Sequence, residues 1–164
     1  MNEDRTGLTA WALACYRQPG AMPSLLALQD EFGLDVLLLL TTAWLWTLGR
    51  SLPAAQLHTL EELHAPWQDK VVIPLREVRR QLKQDIQAQV LYQQVKALEL
   101  EAELLQLERL QGPAMALSVA QASELMDQFG VLVAHETNAA HSDQRLQNLL
   151  AQFAAAVAGF TPAE

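Results

Sequence analysis

The residues best suited to chemistry in this sequence are charged. Arg76, Arg79, Arg80 and Lys83 fall at i, i+3, i+4 and i+7, so they share one helical face over two turns. Guanidinium groups grip carboxylates and phosphates in paired hydrogen bonds. That face is the candidate site for an anion or an acidic partner. The alternative is a solvated helix face opposite Leu75, Val78 and Leu82. A second polar cluster is Asp30 and Asp35, flanking a Phe32-Gly33 break. Two nearby carboxylates can act as acid and base, cap a helix, or pair with the arginines.

Other chemistries find little footing. His58, Glu61, Glu62 and His64 lie within two turns, but His64 is six residues from His58 and points elsewhere. His135-Glu136 and His141 miss the spacing of zinc proteases. No metal site is expected. Cys15 sits on an apolar segment, as a small core residue does. No nucleophile elbow, dinucleotide fingerprint or phosphate loop is present, so neither a catalytic residue nor a cofactor is expected.

The elements that position these groups read as helices. The 164 residues are rich in Leu, Ala and Gln, with seven Gly and seven Pro, which favours an all-α fold. Thr9–Arg17 and a shorter segment from near Pro23 to Phe32 have helical apolar spacing. Asp35 is placed to cap a third helix through Leu48 that is apolar nearly all round and must be central. A fourth runs from about Pro53 to His64, and Pro66 opens a long segment from Trp67 to Leu110. One straight helix there would span ~65 Å, so it must protrude, bend at Pro74, or break in the Gln-rich stretch 84–94. Gly112-Pro113 is expected to end it, with further stripes at Met115–Phe129 and, after a Ser142 cap, at Leu146–Phe160. Trp11, Trp44, Trp46 and Trp67 are read as core packing rather than a pocket lining.

The expected architecture is one all-helical domain over 1–164. It is a helical bundle with a long central helix: a compact part at about 8–83, and a hairpin-like helical region at about 84–160. Lengthwise stripes in the C-terminal helices offer a surface for a protein partner or for self-association. Net charge is −8, while residues 66–111 balance seven basic against seven acidic side chains. Nucleic-acid binding is therefore not expected. A single cysteine, an acidic start and a longest apolar run of fourteen residues suggest a cytoplasmic chain without a membrane span.

One set of motifs is more specific. Ala12-Leu13-Ala14-Cys15-Tyr16 leads to Pro19-Gly20, then Leu28-Gln29-Asp30, Gly33-Leu34-Asp35-Val36 and Trp44-Leu45. Trp67, Val71-Val72, Pro74-Leu75-Arg76 and Arg79-Arg80 follow. Over residues 8–110 this resembles a family of uncharacterised proteobacterial proteins catalogued as a domain of unknown function. The resemblance implies a small helical cytoplasmic protein of Gram-negative bacteria and carries no activity or ligand. The best functional reading is a non-enzymatic interaction or regulatory protein. The alternatives are a ligand or enzyme site where Asp30 and Asp35 meet Arg76 and Arg80, and a nucleic-acid-associated protein.

Overall fold

A computed structural model describes residues 7–121, 123–137 and 143–160. The fold is all-α: helices α1 (Leu8–Tyr16), α2 (Ala21–Phe32), α3 (Val36–Thr47), α4 (Ala54–Trp67), α5 (Ile73–Leu82), α6 (Gln89–Leu117), α7 (Leu125–Glu136) and α8 (Gln144–Ala158). The described residues contain no strand, only a single antiparallel bridge between Ser51 and Val119. No described helix is long and apolar enough to cross a membrane.

The core is built around α3. Every residue from Val36 to Leu45 is buried, as its all-round apolar surface demands. Gly33 ends α2 in the left-handed conformation at φ 69°, donating to Gln29 O, and Asp35 then starts α3 by accepting from the Leu37 and Leu38 amides. One buried cluster joins α1–α4 to Leu107, Leu110 and Ala114 of α6 and to α7 and α8. The bundle therefore draws on both ends of the chain, and α8 packs along α2. Trp11 and Trp44 are buried, and the Trp46 and Trp67 indoles donate to Ser123 O and Ala102 O.

Three boundaries differ from the sequence expectation. Pro66 does not open a new helix. It lies inside α4, which passes through a π-helical turn (Gln68–Val72) into α5, giving one rod over 54–82. The Ile73 amide closes that turn by donating to Gln68 O, so the widened turn stands immediately before Pro74, which has no amide to donate. Gly112-Pro113 does not stop α6, which continues to Leu117. Gly112 has nothing within 4 Å of where a Cβ would stand, and burial of Ala114 in the core rewards the extra turn. The Met115–Phe129 stripe is thus divided between α6 and α7. Ser142 lies outside the described residues, and Asp143 accepts from the Leu146 amide at the start of α8.

The long segment breaks between Leu82 and Gln89. Asp85 caps a short 3₁₀ turn (Ile86–Ala88), and the chain reverses. Contacts descend from His64 with Gln106, through Trp67 with Ala102, to Arg76 and Arg79 with Glu99, so α5 and α6 form an antiparallel hairpin. None of the α5 residues is buried.

Candidate functional site

A buried polar chain crosses the bundle at Asp35. The need to cap α3 orients its carboxylate. One oxygen accepts the two α3 amides, and the other lies 2.8 Å from His64 Nε2. His64 is almost completely buried, near the end of α4. Its Nδ1 lies 2.9 Å from the Gln106 amide nitrogen on α6. A carboxylate can only accept, so the partners assign the proton to Nε2 and leave Nδ1 to accept from Gln106. The Asp35 amide donates to Glu136 Oε2 at 3.2 Å, bringing in the end of α7. Burial, then the nearby Asp35 charge, pushes the Glu136 carboxyl up to about 8, so it is mostly protonated at neutral pH.

The second cluster clamps the hairpin. Arg76 donates from Nε to Glu99 at 3.1 Å and from Nη2 to Glu103 at 3.0 Å. Arg79 donates to both oxygens of the same Glu99. Glu99 and Glu103 are one helical turn apart on α6 and face the i, i+3 arginines of α5. Burial raises the Glu103 carboxyl above the usual range, with Arg76 opposing and Glu99 adding. The Tyr16 phenol of α1 is raised chiefly by burial, then by Glu103, with Asp35 adding and Arg76 opposing, so it lies in electrostatic reach of both clusters.

The expected site residues therefore separate. Arg76 and Arg79 turn inward to α6. Arg80 reaches an exposed Asp30 at 3.0 Å, and Lys83 is exposed near the hairpin tip. Asp30 forms the expected link to the basic helix, whereas the Asp35 carboxylate bonds to His64 and the α3 amides. Arg145 makes a similar exposed pair with Glu31. Cys15 is buried, and desolvation pushes its thiol up to about 12, far from a reactive thiolate.

Two features escaped the sequence reading. A groove of about 520 Å³ lies beside Trp67, between Leu63, Pro66, Val71 and Arg109, with the Arg109 guanidinium 4.3 Å from the Trp67 ring. Across α4 and α7, His58, Glu61 and His135 converge, because the packing of the two helices brings together residues 74 positions apart in sequence. His141, the histidine weighed with His135 in the sequence, lies outside the described residues.

No curated protein and no solved structure matches this chain. A family model described as "Protein of unknown function (DUF2390)" matches residues 8–110, from the start of α1 into the last third of α6. That span holds Asp35, His64, Gln106 and the whole arginine–glutamate clamp, and the chain belongs to the DUF2390 family.

Proposed function

We propose that this is a non-enzymatic helical interaction protein, that the α5–α6 hairpin is its docking arm, and that a second copy of the chain docks there. One observation carries the reading. Of the fourteen large apolar residues exposed among the described residues, eight lie within one hairpin: Ile73, Val78, Ile86, Val90, Leu91, Leu98, Leu100 and Leu105. Ile86 is 88% exposed and Val90 75%, far beyond what a finished surface requires of its helices.

Helical geometry gives the arm a face. Leu75, Val78 and Leu82 lie to one side of the seam on α5, and Leu91, Leu98 and Leu105 lie in the same rotational sense on α6. In an antiparallel pair, equal rotational senses fall on the same side. Arg76 and Arg79 fill the seam itself, while Arg80 and Glu103 lie on its other side, toward α2 and α1. The apolar side thus has the heptad spacing of a coiled-coil seam left half covered.

Charge favours a second copy as the occupant. At a net −8, two copies repel, but Ile86 to Val95 holds no charged residue. The hairpin tip is where like surfaces can meet without like charges, as an isologous two-fold contact requires. The inward turn of Arg76 and Arg79 leaves the basic face less suited to a partner or a nucleic acid than the apolar one.

Sedimentation equilibrium tests this directly. The wild-type chain is expected to dimerise, and the Leu91→Lys/Leu98→Lys variant to be monomeric with an unchanged helical circular dichroism spectrum. A wild-type chain that stays monomeric at its solubility limit, or a dimer indifferent to the double substitution, overturns the reading.

A further inference from the structure

The juxtaposition of His58, Glu61 and His135 goes beyond that reading. We propose that these three side chains form a binding site for a divalent transition-metal ion, bridging α4 and α7 and leaving at least one coordination position open. One potential ligand atom from each residue lies within 4.8 Å of the others. His58 and Glu61 are three apart on α4 and share a face, the i, i+3 arrangement by which helices present metal ligands inward from one turn. His135 comes from the last turn of α7 and contacts the Glu61 carboxylate through Nε2.

The donor set selects the ion. Two imidazoles and one carboxylate suit zinc, cobalt, nickel or copper, and are a poor match for calcium or magnesium, which require oxygen ligands. Tetrahedral zinc takes these donors at about 2.0–2.2 Å, so the ligand atoms must rearrange around the ion. They can do so by side-chain rotation, because all three side chains reach solvent. Solvent also supplies the entry path and the fourth ligand. Glu62, 3.4 Å from His58 Nε2, is a further carboxylate beside the cluster and can donate the fourth bond to the ion or orient His58.

The His58 and His135 rings meet edge to face with centroids 5.3 Å apart, so packing of α4 on α7 already gathers both imidazoles beside the Glu61 carboxylate. The bridge would pin the end of α7 to α4, beside the strap through which Glu136 holds the start of α3.

Isothermal titration of the chelator-stripped full chain with Zn²⁺ alone tests the site. The expected result is one equivalent per chain, with affinity reduced by at least about tenfold in each of His58→Ala, Glu61→Gln and His135→Ala. Glu101→Gln/Glu108→Gln, on the exposed face of α6, should bind as wild type. Because the ligand side chains are surface groups, all variants should retain the wild-type circular dichroism spectrum. Zinc should raise the melting temperature of wild type and not that of His58→Ala/His135→Ala, which separates a bridge between helices from loose surface binding. The absence of stoichiometric binding overturns the proposal, as does zinc binding that survives the double substitution. The oligomeric state of the same samples reports separately on the hairpin, since none of these ligands lies on it.

Discussion

Asp35 does three things with one residue. It caps α3, holds His64, and offers its amide to Glu136. Asp35→Ala removes the cap and leaves the His64 N–H buried without its acceptor. The expected loss is about 3–5 kcal/mol in urea unfolding. Asp35→Ser keeps a capping oxygen and should recover about 1 kcal/mol of that. Equal losses for the two substitutions would show that the cap contributes nothing. Glu136 makes an independent prediction at the same scale. Its folded-state pKa of about 8 lies above the ordinary 4.5, so the folded protein holds a proton that the unfolded chain has released. Its contribution to stability is complete below about pH 4.5 and is lost as pH rises through about 8. In metal-free protein, Glu136→Gln should flatten the fall in stability over that interval, measured by denaturant unfolding at several pH values.

At the scale of the element, the decisive features are places where a helix continues past an expected stop. Pro113 lies inside α6, one residue before the buried Ala114, and removes one backbone donor from the ladder. Pro113→Ala restores that donor without adding bulk to the core. It should stabilise the protein by about 1–3 kcal/mol, read from the denaturation midpoint. No change in midpoint would mean that the helix is already relieved of proline strain. Local turn chemistry was legible in advance at other boundaries: Gly33 and Asp35 each act where local backbone chemistry alone suffices. Pro66 and Pro113 were misread because a proline's local cost of a few kcal/mol is offset where the continued helix carries a later residue into the interior, Val72 after Pro66 and Ala114 after Pro113.

At the scale of the whole molecule, the basic face shows how charges are redistributed by folding. The i, i+3, i+4, i+7 spacing describes only where residues stand around one helix. It could not show that Glu99 and Glu103, some twenty residues away, would lie opposite once the chain reversed at Lys83–Ala88. The same reversal exposes the apolar side of the hairpin. With a net charge of −8, dimerisation through that side should strengthen as salt screens the repulsion between copies, in the same sedimentation measurement.

The sequence by itself determined what depends on near neighbours: helical content from composition, the central place of α3 from its all-round apolar surface, the cap at Asp35, and the family membership of residues 8–110. These follow from propensity, periodicity and backbone hydrogen bonding, which act within a few residues. Only the tertiary structure decided where the arginines point, that His64 lies between Asp35 and Gln106, and that His58 and Glu61 meet His135. Those outcomes depend on how helices distant in sequence pack, and side-chain spacing along one helix carries no information about the face that another helix will present to it.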